Sequence, residues 1–143
     1  MAGDVGPRTA PFKGLDGRQS PVGYPRRPSS SAPDPLSVLV CLCTCPDPDS
    51  AARIADTLVA EHLAACVNLL PGLRSVYRWQ GQVEHADEML LLIKTTADRL
   101  QALQQRIQAL HPYELPEVIA VEAAGGLPAY LGWVAEQTRE ENR

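Results

Sequence analysis

Four cysteines and three histidines are the side chains in this 143-residue chain best equipped for chemistry. Cys41, Cys43 and Cys45 stand at alternate positions, so a strand extending that far puts all three on one face. Neighbours two apart on an extended strand are poorly placed to form a disulfide, and no C-x-x-C spacing is present. Two readings follow. The cysteines are small buried hydrophobes in a reducing compartment, or they are thiolates of a soft-metal site better suited to Cu(I) than to Mg²⁺ or Ca²⁺. Cys66 falls on a second expected strand. His62, near a helix end, and His85, in the polar part of a hairpin, read as surface residues. His111 precedes Pro112 and has Tyr113, Glu114 and Glu117 close in sequence. A histidine with a carboxylate nearby can ligate metal or move a proton, and it can equally be a helix-terminal residue interacting with the dipole. No nucleophile elbow and no H-E-x-x-H accompanies it, so no catalytic residue is assigned and the chain is not expected to be an enzyme.

The elements that must hold these residues follow from hydrophobic periodicity. Leu36 to Thr44 is short, β-branched and apolar at both parities, the pattern of a buried strand. The segment Cys45-Pro46-Asp47-Pro48-Asp49 breaks it, and Asp49 or Ser50 is the expected N-cap of a helix carrying Ala51, Ile54, Ala55, Leu58 and Val59 on one stripe and ending near Leu63. Two long strands then pair around a tight turn. Ala65–Leu70 and Leu73–Trp79 are separated by Pro71-Gly72, which predicts a bulge, not a strand end. With Gly81 at the turn centre, Arg74 falls opposite Glu88 and Arg78 opposite Glu84, a register with opposite charges at both positions. Thr95 or Thr96 precedes a second helix, whose core stripe is Leu100, Leu103, Ile107 and Leu110, with Arg99, Gln104, Gln105, Arg106 and Gln108 turned to water. Glu117–Val121 is a fourth strand, and a short helix containing Tyr130 and Trp133 closes the chain.

That order defines an α+β, ferredoxin-like βαββαβ antiparallel sheet with a long hairpin between its second and third strands and a C-terminal helix. Its helices cover one sheet face. Met89-Leu90-Leu91-Leu92-Ile93 is apolar at both parities, so the second face also carries large aliphatic side chains. Either this is a central strand sandwiched within one chain or a partner subunit covers the second face, and with few elements left to do so the partner is the expectation.

Composition divides near residue 35. Residues 1–35 hold seven of the thirteen prolines and five of the ten glycines, with few aliphatic side chains. Such a segment is expected to be a disordered extension, leaving 36–143 as the folded domain. The extension carries five basic and three acidic residues, against eight and fourteen in the body, whose net charge of −6 gives no nucleic-acid footprint. No run of 18 apolar residues suggests a membrane span, and no apolar h-region suggests secretion. A cytoplasmic protein is the expectation. The Arg and Ser residues of the extension leave an organelle transit peptide open, while Asp4, Asp16 and the prolines argue against one.

Leu63-Ala64-Ala65-Cys66-Val67-Asn68, Ser75-Val76-Tyr77-Arg78-Trp79-Gln80-Gly81, Lys94-Thr95, His111-Pro112-Tyr113-Glu114-Leu115-Pro116-Glu117 and Tyr130-Leu131-Gly132-Trp133 occur in an order and spacing that resembles the CutA divalent-cation tolerance family. The resemblance runs from about Val38 to Trp133 and leaves out the extension. It implies a ferredoxin-like protomer, a tight homotrimer and a role in tolerance to copper and other divalent metals. It also implies metal binding by Cys43 and His111, and an inter-subunit cleft lined by Tyr77, Trp79, Lys94, Tyr113 and Glu117. Some members carry a second histidine immediately before the position of His111; here that residue is Leu110, which removes a two-histidine site. An alternative, by analogy with the PII regulators, is a trimeric signalling or interaction module that binds a small ligand between subunits without turnover. Only Lys94 is an obvious phosphate-binding residue and no G-x-x-x-x-G-K-[ST] loop is present, so nucleotide binding is the weaker version. An unidentified protein partner remains compatible with either reading.

Overall fold

Val38–Cys45 forms β1, which starts two residues later and ends one residue later than periodicity predicts, so the strand carries all three alternate cysteines to its end. The computed structural model describes residues 32–140. Most of the extension assigned to residues 1–35 therefore lies outside the described residues. Its last residues already belong to the body: the Leu36 N–H donates to Asp34 Oδ1 at 2.8 Å and the Asp98 N–H to the Pro35 carbonyl at 2.9 Å.

Helix α1, Pro48–Ala60, starts two residues earlier than expected, because Asp47 is the N-cap. Its carboxylate accepts from the Ser50 N–H at 2.7 Å, and Pro48 supplies a preset φ where no intrahelical donor is needed. The helix closes on a left-handed His62, φ +59°, with the Leu63 N–H donating to the Leu58 carbonyl at 2.9 Å and the His62 N–H to that of Val59 at 3.1 Å. His62 is thus not a plain surface residue. It is half-buried, and its Nδ1 lies 3.0 Å from the Gln137 carbonyl in the C-terminal helix.

Strands β2, Cys66–Trp79, and β3, Gln82–Thr96, form the long hairpin. The expected bulge is present: pairing shifts between Leu70 and Leu73, and Gly72 takes φ +81°. The expected register is not. Arg74 faces Asp87 and Arg78 faces Val83, because the loop is only Gln80-Gly81, with φ +48° and +78°. Two left-handed residues make the mirror-image turn whose twist matches paired strands. That backbone preference outweighs exposed charge pairs worth about 0.2–1 kcal/mol each.

A single 3-10 turn, Ala97–Arg99, follows Thr96 and leads into α2, Leu100–Leu110; β4 is Ile119–Glu122 and α3 is Pro128–Gln137. Arg99, expected in water, is instead half-buried, donating to the His62 carbonyl at 3.4 Å and pairing with Glu140 at 2.9 Å.

The sheet is antiparallel throughout in the order β2-β3-β1-β4, the ferredoxin-like arrangement. Cys41, Cys43 and Cys45 pair with Ile93, Leu91 and Met89, and this parity faces Ile54 and Leu58 of α1 and Leu103 and Ile107 of α2. Each of these large aliphatic side chains contributes about 1.5–3 kcal/mol by leaving water. The other parity carries Val40 and Leu42 of β1, Leu90 and Leu92 of β3, and Ile119 and Val121 of β4, half-buried or exposed. Among the described residues no helix is long and apolar enough to cross a membrane.

Candidate functional site

Pro112 disfavours the helical region for the residue before it, so α2 stops at Leu110 and His111 turns extended, ψ 139°. Its own N–H still donates to the Ile107 carbonyl at 2.8 Å, while its ring reaches the end of β1. Nδ1 accepts from the Tyr113 N–H at 3.0 Å. This leaves the proton on Nε2, which donates to the Thr44 carbonyl at 2.7 Å. Two backbone bonds therefore fix the ring and its tautomer.

The carbonyl that receives His111 lies between two buried sulfurs. Ligand atoms of Cys43, Cys45 and His111 all lie within 4.8 Å of one another, and all three side chains are buried. A Cys43 thiol proton has two acceptors in reach, the Cys45 sulfur and, 3.8 Å away, the Thr44 carbonyl. The two thiols are driven apart electrostatically. The hydrogen bond to Cys45, burial, and the negative potentials of Cys45, Glu117 and Glu88 push the Cys43 thiol far above its ordinary range. The same hydrogen bond, with the nearby His111 ring, lowers Cys45 to about 6 against the opposing effect of burial. The first proton to leave the pair leaves from Cys45, and the Cys43 thiol donates to the resulting thiolate.

Tyr113 continues the site outward. Its ring centroid is 4.9 Å from that of His111, and its hydroxyl donates to Glu88 Oε2 at 3.3 Å, both residues being buried. Glu114 is exposed and not a member of the cluster. Leu110, where a second histidine would stand, packs against the core instead. Cys41 remains on the cysteine face but outside the cluster, its thiol pushed up to about 11 by burial, the behaviour of a structural cysteine. Cys66 pairs with Lys94 on the opposite parity, away from the other three.

The residues named for a cleft divide into two groups. Tyr77, Trp79 and Lys94 fall on one face of the hairpin, since the bulge keeps Leu73, Tyr77 and Trp79 in phase with Leu70. They are not close together: Trp79 pairs with Gln82, and residue 94 lies twelve positions beyond 82 along β3, about 40 Å at the usual rise. Tyr113 and Glu117 lie instead beside the sulfur cluster. A single chain does not assemble all five.

Cys45 is the residue that sequence reasoning left out of the assigned pair, admitting it only beside Cys41, Glu114 or a second subunit as a way to complete the site. The signal was its spacing two beyond Cys43; what hid it was the following Pro46, which suggested that the strand had already ended.

An antiparallel βαββαβ protomer with a buried cluster of two sulfurs and an imidazole is a small ferredoxin-like protein that carries a donor set of metal-ligand type. Residues 39–137 match the family described as CutA1 divalent ion tolerance protein. The chain belongs to that family. It is similar to the divalent-cation tolerance protein CutA of Thermus thermophilus, 50% identical over 69% of this chain and 96% of the relative. The chloroplastic protein CutA 1 of Oryza sativa is 44% identical over 71% of this chain and 58% of its own length. Among solved structures, the divalent cation tolerance protein from Thermus thermophilus superposes with a TM-score of 0.71 at 49% identity, covering 71% of this chain and 99% of that one. A structure described as the periplasmic divalent cation tolerance protein CutA from Archaeoglobus fulgidus gives 0.69 at 31% identity over 71% and 99%. Chloroplastic and periplasmic relatives mean that family membership carries no compartment, and the cytoplasmic expectation gains nothing from it.

Proposed function

We propose that the protein is a homotrimeric, non-enzymatic copper-binding protein serving cation tolerance, with Cys43 and His111 as the ligand pair of each chain. The observation that carries the reading is the convergence of these two residues, the first on β1 and the second beyond the end of α2, on one buried point. A thiolate and an imidazole select copper over magnesium or calcium. The donor types fit and the spacing needs only a modest contraction, since ligands about 2.0–2.3 Å from a metal stand within roughly 4 Å of each other. The cost lies in the imidazole. Whichever ring nitrogen a metal took, one backbone hydrogen bond would be surrendered, a loss of about 0.5–1.5 kcal/mol that holds affinity to a moderate level. The role of His111 without metal is to lock the Pro112-Tyr113 connector onto β1. Reduced thiols at all four cysteines suit a reducing compartment such as the cytoplasm.

The trimer rests on the second sheet face. Six aliphatic side chains from three strands stand there half-buried or exposed, with the end of α3 reaching this face where Thr138 Oγ1 lies 3.1 Å from Thr96 Oγ1, and a contiguous apolar patch rimmed by polar residues marks an interaction surface. Tyr77, Trp79 and Lys94 share that face, and this favours one further reading: a PII-like module holding a small ligand where neighbouring subunits bring these residues to Tyr113 and Glu117 of another chain.

Native mass spectrometry of the full chain during copper titration tests the proposal. The expected result is three chains carrying up to three coppers, with uptake lost in Cys43→Ser and His111→Ala and reduced at mildly acidic pH, because protons compete with metal for a thiolate and an imidazole. Uptake by both variants equal to the wild type overturns the ligand pair. A monomer at low micromolar concentration overturns the assembly.

A further inference from the structure

We infer that Cys45 is the third ligand of this site, and that the resulting Cys-x-Cys plus His set is built for a soft monovalent cation, Cu(I), in preference to a hard divalent one. The inference rests on the copper-binding reading above and adds to it a residue and a charge class. Three facts carry it. The strand runs one residue past Thr44, so Cys45 repeats the orientation of Cys43 and stays on the helix-covered face. Its sulfur, the Cys43 sulfur and a His111 nitrogen are mutually within 4.8 Å. Neither Cys43 nor Cys45 has any accessible surface.

Donor chemistry then selects the cation. Two thiolates and one imidazole are soft or borderline donors, matched to Cu(I) and foreign to Mg²⁺ and Ca²⁺, which take oxygen. Zinc accepts the same donors but closes its structural sites with four ligands in a tetrahedron. Among the described residues the cluster offers three. Cu(I) is satisfied with three. Charge opposes this choice, since two thiolates leave the buried site with one negative charge around Cu(I) and none around a divalent ion; donor softness and the number of ligands carry the preference. The backbone also contributes: the two sulfurs come from one strand, so the donors are held in place before metal arrives.

The test is an anaerobic titration of the full-length, reduced protein with Cu(I) in competition with a chromogenic Cu(I) chelator, with Zn(II) run in parallel. Wild type, Cys45→Ala, Cys45→Ser, Cys43→Ser and Cys41→Ala are compared, and X-ray absorption counts the sulfurs around copper. The expected result is one Cu(I) per chain held by two sulfurs in the wild type. Both Cys45 variants should bind more than about a hundredfold more weakly, beyond the range of lost outer-shell partners, and show one sulfur. Cys41→Ala, on the same face but outside the cluster, should match the wild type. Thermal unfolding shows whether the variants are folded, and Cys45→Ser, nearly the same size, covers the case in which Cys45→Ala is not. If the Cys45 variants bind Cu(I) like the wild type while Cys43→Ser loses it, Cys45 is no ligand, and the two-residue reading survives alone. Zn(II) displacing Cu(I) at equal concentration overturns the monovalent preference. Unchanged binding in Cys43→Ser as well removes the underlying site and this inference with it.

Discussion

On the helix-covered face of the sheet Cys41, Leu91 and Ile93 have no accessible surface, while on the opposite face Ile119 and Val121 keep 53% and 55% of theirs. The side chains are of the same kind and alternate along the same strands: Leu91 and Ile93 flank Leu92 on β3, and Cys41 and Cys43 flank Leu42 on β1. What differs is the layer above them. Two amphipathic helices can cover one face of four strands, and both crossovers put them on the same one. The comparison teaches that apolar character at both parities signals a second covering layer without saying where it comes from. It also locates the sulfur cluster: the face the helices close holds thiols that are dry, close together and shifted in pKa.

The sharpest way to break the comparison is to remove equal volume from each face. Leu91→Ala deletes a fully buried side chain beneath the helices, and the expected loss is about 2–5 kcal/mol in urea unfolding. A loss under about 1 kcal/mol would mean that the helix layer collapses onto the gap and is far less rigid than native packing density implies.

The second test puts a charge on the other face. Leu92→Asp places a carboxylate between Leu42 of β1 and Asn68 of β2, at the middle of the uncovered aliphatic surface. In an isolated chain this position is part-exposed and tolerant; under a partner subunit it strands an unpaired charge, at a cost of several kcal/mol. The expected outcome is a folded chain, with native far-UV circular dichroism, that sediments as a monomer where the wild type does not. An unchanged mass for the variant would remove this face from the interface.

The same contrast explains how much was legible in the sequence. Element order, the bulge at Pro71-Gly72 and the helix stripe of Leu103 and Ile107 follow from periods of two and 3.6 and from backbone-restricted residues, which act locally. The hairpin register did not follow, because charge pairing was weighed above the conformation of Gln80 and Gly81, and the stronger signal was the two-residue loop. Cys43 and His111 were legible as a pair through family resemblance. Their contact with Cys45 was not, since it depends on where β1 ends and on how the residue before Pro112 turns, both tertiary outcomes. The partial burial of His62 and Arg99 was missed for a related reason: each is held by a C-terminal segment far away in sequence.

The smallest expected effect falls on the covering layer itself. Asp47 caps α1 by accepting the Ser50 N–H at 2.7 Å, and Ser50 Oγ donates back to the Asp47 carbonyl at 3.2 Å, so the first turn is closed from both sides. Asp47→Ala leaves a helix-terminal donor without its side-chain acceptor and removes a negative charge from the positive end of the dipole, together about 1 kcal/mol. The carboxylate is exposed and makes no contact with the second sheet face. The loss should therefore appear as a lower urea midpoint with unchanged slope and unchanged oligomeric mass. Because Asp47 lies two residues beyond Cys45, its negative charge also raises the Cys45 thiol, the smallest of the influences acting there. Its removal should let Cys45 ionise at slightly lower pH, followed as thiolate absorbance in the metal-free protein. A fall in stability accompanied by dissociation would show that α1 supports both faces, and the separation between the covered and uncovered layers would no longer hold.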